Sequence, residues 1–139
     1  MHRILIAVLL WAVPSLAHAQ GGADLSAAAE QARQAWFGHN AAALVADSPR
    51  LLVQLPGADP SAALAPDQAA ALLSDFLASG QEVETVVQAA REVGPGRGYV
   101  ELQRRFRVAG TQNVRTQALL LGYRRGQQGW VLVELRVVG

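Results

Sequence analysis

The chain has 139 residues, and its 12 basic residues, all of them Arg, face 11 acidic ones, so that the formal net charge is +1. It contains no Cys, which excludes disulfides, thiol catalysis and thiolate metal sites. The nearly balanced charge argues against nucleic acid as a partner, because nucleic-acid-binding domains usually carry a strong basic excess.

The first 19 residues have the layout of a secretory signal peptide. A short basic start is followed by an apolar stretch over residues 4–13, and residues 17–19 read Ala-His-Ala, a small-residue pattern typical of a cleavage site. The apolar stretch is shorter than the roughly 20 residues that span a bilayer. We therefore expect cleavage near Ala19, a periplasmic or extracellular location, no stable membrane insertion, and a single domain over residues 20–139.

The segment after the signal predicts a helix and a short helical turn. Asp24 is a suitable N-cap for the helix, and small and apolar residues recur at three- and four-residue spacing as far as Trp36. Gly38 can end this helix in a left-handed conformation. A second helical turn is predicted over residues 41–46.

A short strand is predicted over residues 51–55, and the Pro-Gly-Ala-Asp-Pro sequence that follows it is a strong turn signal. Pro66 then suits the first position of another helix, where an N–H would have no partner within the helix in any case. The apolar residues of this segment have the spacing of one helical face, and Gly80 stops the pattern.

Beyond residue 80 the apolar residues follow the period of a strand. Turn sequences separate four extended segments, which cover residues 82–89, 99–108, 114–125 and 130–138. In the first segment, the residues expected to face the core alternate with polar ones: Val83, Thr85, Val87 and Ala89 alternate with Glu82, Glu84 and Gln88. Four strands with short connections form an antiparallel meander, whose apolar face needs helices to cover it.

We therefore predict an α+β fold in which a curved antiparallel sheet of four or five strands packs on two or three N-terminal helices. Several stretches resemble a known family, namely GHNA at 38–41, LLVQLPG at 51–57, DQAAALLSDFL at 67–77 and GWVLVELRV at 129–137. Together with the element order, they resemble the nuclear-transport-factor-2-like superfamily, and within it a family of uncharacterised exported bacterial domains. The resemblance implies a cone of curved sheet closed by helices.

The chain offers little for acid/base or metal chemistry. Enzymes of the resembled superfamily place a His or a carboxylate inside the cone, but His39 is the only His after the signal peptide and lies on a predicted loop. One His and no Cys are too few for the usual transition-metal sites. We therefore predict no catalytic residue, no metal and no cofactor, and we favour a non-enzymatic protein.

The strand pattern nevertheless predicts a polar floor for a pocket. Arg104 lies among apolar residues of its strand, and simple alternation places Glu134 and Arg136 on the same wall. With Tyr123 and Trp36, these residues form a candidate ligand site in which an Arg receives a carboxylate or similar anion. Two alternatives remain open: an internal Arg–Glu pair that fixes strand register, and a solvated outer face after a one-residue bulge.

The last strand also carries apolar residues on its other side. Val131, Val133, Leu135 and Val137 alternate there with the residues predicted to face the pocket. This pattern predicts a homodimer through the outer sheet, unless both faces are covered within one chain. The charge is unevenly divided, since residues 20–90 carry eight acids and two Arg whereas 91–139 carry three and nine. We interpret this as attraction within the molecule, with an anionic partner as the alternative.

The sequence thus favours an exported, non-enzymatic domain that binds a small molecule or a protein partner through its cone pocket or outer sheet. An isomerase- or dehydratase-like enzyme is the competing interpretation, in which Tyr99 or Tyr123 would donate to a developing oxyanion. A purely structural dimerisation domain is the third.

Overall fold

The structure, a computed structural model, describes residues 17–139, with side chains from Asp24 onward. The described elements, in chain order, are α1 (Ala17–Phe37), α2 (Ala41–Val45), β1 (Leu52–Gln54), α3 (Pro66–Leu77), β2 (Gly80–Gly94), β3 (Arg97–Val108), β4 (Val114–Gly126) and β5 (Gly129–Val138). Most of the predicted signal peptide, residues 1–16, lies outside this range. Among the described helices, none is long and apolar enough to cross a membrane.

A single five-stranded sheet has the order β1-β5-β4-β3-β2. Its last four strands are consecutive antiparallel neighbours, as the predicted meander requires. The short strand β1 adds to β5 in parallel, with Leu52 opposite Glu134. The predicted α+β class and the sheet packed on N-terminal helices are confirmed, with the difference that one of the five strands is parallel.

Helix α1 begins at Ala17, so Asp24 lies within it and the predicted N-cap is wrong. The reason is that residues 17–23 continue the helical backbone, which removes the free N-terminal amides that an N-cap would bind. The buried stripe of α1 includes Leu25, Ala29, Ala32 and Trp36. These residues pack on the inner face of the sheet, together with the buried residues of α3.

The end of α1 also differs from the prediction, because the left-handed residue is His39 (φ 54°) and Gly38 is not. The amide of Asn40 donates to the carbonyl of Ala35 at 2.8 Å, and the amide of His39 donates to that of Trp36 at 3.0 Å. This pair of bonds is a Schellman motif, in which the residue after the C-cap takes the left-handed conformation. Gly38 occupies the C-cap position itself.

Helix α3 begins as expected and ends at Leu77, whereas Gly80, the residue predicted to stop it, is the first residue of β2. Pro66 is its first residue, and the side chain of Gln68 accepts from the amide of Ala65 at 3.1 Å. Its inward stripe buries Ala69, Leu73 and Leu77.

The predicted faces of β5 are only partly correct, because the strand contains a bulge. Gly122 of β4 pairs with Glu134, but the next residue, Tyr123, pairs with Leu132, so Val133 is extra. The bulge reverses the alternation beyond it, and both Leu135 and Val137 are therefore in the core. The outer face of β5 is consequently less apolar than the sequence pattern predicts.

Strand β2 is also irregular, and the first of its three register shifts lies between Glu82 and Glu84. Thr85 is buried, as predicted, whereas Val83 and Val87 are more than a third exposed, so the predicted inward face of this strand is only partly correct. The bulge instead turns the Glu82 side chain toward the core.

The uneven charge is partly neutralised within the sheet, by ion pairs that join β2 to the basic strands β3 and β4. Glu84 pairs with Arg105 at 3.4 Å and Glu92 with Arg125 at 3.5 Å, and all four side chains are exposed. Ion pairs of this exposed kind contribute about 0–1 kcal/mol each to stability.

Candidate functional site

Arg104 of β3 is the most deeply buried charged residue that the structure describes, with 1% of its surface exposed. Its Nε donates to Oε2 of Glu82 at 3.1 Å, and one terminal nitrogen donates to Oε1 of the same carboxylate. The other terminal nitrogen donates to the side-chain oxygen of Gln117 at 3.2 Å. Arg104 therefore belongs to a two-pronged ion pair between β2 and β3, the strongest geometry for this kind of pair.

Aromatic rings surround the Arg104 guanidinium, which lies 3.9 Å from the ring centroid of Phe106, 5.1 Å from Trp36 and 5.6 Å from Phe76. These are cation–π distances, and the rings exclude water from the pair. Burial lowers the pKa of Arg104, while the hydrogen bond and attraction to Glu82 oppose that change. The group stays charged, because a guanidinium is ordinarily protonated throughout the physiological range.

His39, which the sequence places on a loop, contacts this buried pair. Its Nε2 lies 3.2 Å from Oε1 of Glu82, and its side chain is 32% exposed. Glu82 thus bridges the end of α1 to Arg104 on β3. Sequence reasoning missed Glu82, because strict alternation placed it on the solvent face and the bulge beside it has no Gly or Pro to mark it.

Glu134 and Arg136, the other two charges of the predicted wall, lie on the opposite side of the sheet from Arg104. They pair with each other at 3.2 Å, and their side chains are 44% and 47% exposed. The bulge at Val133 is the physical reason, since it moves both residues outward. The predicted arrangement on one wall is therefore wrong, and each half matches one of the two alternatives: an internal Arg–Glu pair and a solvated outer face.

A groove of about 510 Å³ lies between α1, α2 and the hairpin end of β4 and β5. Small residues of α1 form its floor, namely Ala28, Ala32 and Ala35. Residues of both strands and of α2 form its walls, namely Tyr123, Trp130, Leu132, Ala43 and Leu44. Polar residues border it, namely Gln31, Gln34, Asn40, Asp47 and Ser48.

Tyr123 is the notable polar group of this groove. It is 7% exposed, and burial raises the pKa of its phenol. Its hydroxyl forms no hydrogen bond with any residue in the described part of the chain, although a buried phenol usually has a partner. A groove-lining hydroxyl without a protein partner is well placed to bond to a bound molecule.

Two other polar residues of the groove are already used in part. The Ser48 hydroxyl donates to the carbonyl of Leu132 at 2.7 Å, which fastens the end of α2 to β5. The side-chain oxygen of Asn40 accepts from the amide of Ala43 at 3.0 Å and caps α2. The amide nitrogen of Asn40 remains available to a ligand.

Comparison with known proteins bears on the fold. No family model matches the sequence, and no curated protein matches it either. A ketosteroid isomerase-like protein from Erwinia carotovora atroseptica has a TM-score of 0.69 at 15% identity, with 85% of this chain and 95% of that one covered. A nuclear-transport-factor-2-like protein of unknown function from Shewanella oneidensis has a TM-score of 0.61 at 12% identity, covering 83% and 96%.

A DUF4783 family protein from Bacteroides uniformis is also similar, with a TM-score of 0.63 at 14% identity, covering 78% of this chain and 94% of that one. The chain has the nuclear-transport-factor-2-like fold. This confirms the fold that the resemblance implies. The likeness concerns the fold alone at such low identity, so the function has to be argued from the residues.

The fold does not bring the five predicted site residues together. Trp36 and Arg104 are enclosed in the core, and only Tyr123 lines the large groove. Arg136 borders a smaller groove of about 390 Å³ beside Gln54. A ligand-binding role for any of them remains a prediction. Within residues 17–139, no cluster of three or more His, Asp or Glu residues could hold a metal ion.

Proposed function

We propose that this protein is an exported, non-enzymatic domain that binds a small molecule in the groove between α1, α2 and the β4–β5 hairpin. The unpartnered hydroxyl of Tyr123 in a groove of about 510 Å³ is the observation that carries the proposal. Ligand sites typically measure roughly 300–1,000 Å³ and combine apolar walls with a few polar groups. The alanine floor and the polar border fit that description.

The competing function is an isomerase- or dehydratase-like enzyme that works inside the cone. Such an enzyme needs a carboxylate or imidazole that is free to take a proton from a substrate. The interior carboxylate, Glu82, has both oxygens bonded to Arg104 and a further contact to His39. This arrangement supports binding over catalysis, because the groups that would act as bases are committed to one another.

The proposed function can be tested on protein purified from the periplasm of its own host. Native mass spectrometry is expected to show a bound small molecule, and N-terminal sequencing to begin at Gln20. Ala35→Trp fills the groove and should remove the retained mass. Ala27→Trp is the matched control, since Ala27 is an exposed residue of the same helix outside the groove. The proposal would be contradicted if the wild-type protein retained no small molecule, or if both variants retained it equally.

We further propose that the domain forms a homodimer through its outer sheet. The centre of that face carries Leu120 and Ala118, neither of which is fully exposed. Leu120 pairs with Glu101 on one neighbouring strand and with Arg136 on the other, so that a two-fold axis can bring opposite charges together. A homodimer that binds no ligand would correspond to the structural interpretation.

Light scattering during size-exclusion chromatography tests the assembly. The wild type is expected to elute as a dimer at micromolar concentration, and Leu120→Glu as a monomer because it buries a charge in the interface. Val93→Glu is the control, since Val93 is exposed near the β2–β3 turn and outside the proposed contact. A monomeric wild type would reject the dimer.

A further inference from the structure

We propose that the ligand of the groove is an organic amine with an apolar body, which binds its cationic group near Asp47 and its body along the alanine floor beside Tyr123. This inference rests on the proposed small-molecule function of the same groove. It adds the chemical class of the ligand.

The charge of the lining is the first argument. None of the Arg residues in the described part of the chain lines the groove, and its one formally charged lining residue is Asp47. Asp47 is exposed, and no ion pair or hydrogen bond holds it among the residues that the structure describes. An unpaired carboxylate attracts a cation and repels an anion, so the groove discriminates by charge.

Three basic side chains that flank groove residues are bonded to groups other than Asp47. Arg125 stacks 4.6 Å from the centroid of Trp130, a wall residue, but its guanidinium also pairs with Glu92 at 3.5 Å. Arg33 of α1 is held by Glu30 at 2.6 Å. Both guanidinium groups thus have acidic partners of their own. Arg50, three residues beyond Asp47, donates to the carbonyl of Ala63 at 3.3 Å and does not line the groove, so Asp47 is the charge that faces a bound molecule.

The relative placement of the polar groups is the second argument. Asp47 adjoins Ser48, whose hydroxyl bonds to the carbonyl of Leu132, and Leu132 pairs with Tyr123 across the strands. Asp47 and Tyr123 therefore belong to the same part of the groove. A cation at the carboxylate leaves the ligand's body within reach of the tyrosine hydroxyl.

The apolar floor is the third argument. Ala28, Ala32 and Ala35 line one side of α1, and Leu44 and Leu132 face them from the walls. Methyl groups on the helix leave a shallow channel, and burying the ligand's hydrocarbon there supplies the attraction that an exposed carboxylate alone cannot. A small inorganic cation would leave this surface wet, so an amine with a hydrocarbon body fits better.

Three probes of matched shape test the inference: 3-phenylpropylamine, 3-phenylpropanol and 3-phenylpropanoate, titrated by calorimetry into the mature wild-type protein at neutral pH. The amine is expected to bind about fivefold more tightly than the alcohol, the most that an exposed ion pair usually gives, and the carboxylate is expected to bind weakest. Added salt should reduce the difference between amine and alcohol.

Asp47→Asn should abolish the preference for the amine while leaving the affinity for the alcohol unchanged. Asp59→Asn is the matched control, because Asp59 is an exposed carboxylate outside the groove, and it should leave all three affinities unaltered. Equal binding of the three probes, or a preference that survives Asp47→Asn, would overturn the amine inference and leave the binding function intact. Failure of all three probes, including the uncharged alcohol, to bind would count against the groove as a ligand site and thus against both proposals.

Discussion

Glu82 and Arg104 face each other within the core, and both side chains are 2% exposed. Neither charge is tolerable there without the other, because an isolated buried charge costs several kcal/mol. The pair joins β2 to β3 at the point where β2 carries a bulge. The pair therefore favours the register in which β2 and β3 are aligned at this bulge.

Removing one member of this pair should be much worse than removing both. We expect Arg104→Met to lower the free energy of unfolding by about 3–5 kcal/mol, because Glu82 is then buried without its main partner. The double variant Glu82→Leu/Arg104→Met should recover most of that loss, since apolar replacements of a buried pair are often neutral. Urea unfolding of the single and double variants measures both.

Arg105→Met is the matched control for that experiment. Arg105 follows Arg104 in the chain, and the substitution breaks its exposed ion pair with Glu84. It should cost less than about 1 kcal/mol. A loss for Arg104→Met no larger than for Arg105→Met would show that the buried pair is not required for stability.

His39 combines a left-handed backbone with a contact to the buried carboxylate. His39→Ala and His39→Gly both lose the imidazole, but only Ala retains the cost of a left-handed residue, which is about 1–2 kcal/mol. We therefore expect the Ala variant to be less stable than the Gly variant by that amount. Thermal unfolding of the two proteins measures the difference, and equal midpoints would indicate that the end of α1 relaxes when the imidazole is lost.

The element order, the helix stripes and the meander were predictable from the sequence, because each depends on a local period or on turn residues. The site was less predictable. Alternation places Glu134 on the inner face and Glu82 on the outer one, and the structure has the reverse. Each error comes from one bulge. The extra residues are Val133 and Val83, and valine is common in regular strands, so neither residue marks its bulge in the sequence. Strand alternation in a sequence does not show where a bulge interrupts it.

The bulge in β5 predicts opposite tolerances for two residues that simple alternation treats alike. Leu135 is 0% exposed and lies within the core, whereas Val133 is the extra residue and only partly buried. Leu135→Ala should cost about 2–5 kcal/mol, and Val133→Ala less than about 1 kcal/mol. Chemical denaturation of both variants compares them, and similar losses would contradict the assigned register.

Tyr123 makes stability depend on alkaline pH. Burial raises the pKa of its phenol above the ordinary value of 10.0, so the folded state favours the neutral form. Below pH 10.0 the group is neutral in both states, and its contribution is fully present. As the pH rises above that value, the unfolded chain loses the proton first, and the contribution declines until the folded-state pKa is passed.

We therefore expect the free energy of unfolding to fall above about pH 10, and Tyr123→Phe to make that fall less steep. The comparison variant is Tyr99→Phe, because Tyr99 lies on the other face of the sheet and burial there also raises its pKa, but the residue is only half-buried. Urea unfolding at a series of alkaline pH values measures all three proteins. Identical slopes for the wild type and Tyr123→Phe would mean that the hydroxyl is already hydrated in the empty groove, and so less in need of a ligand to bond to.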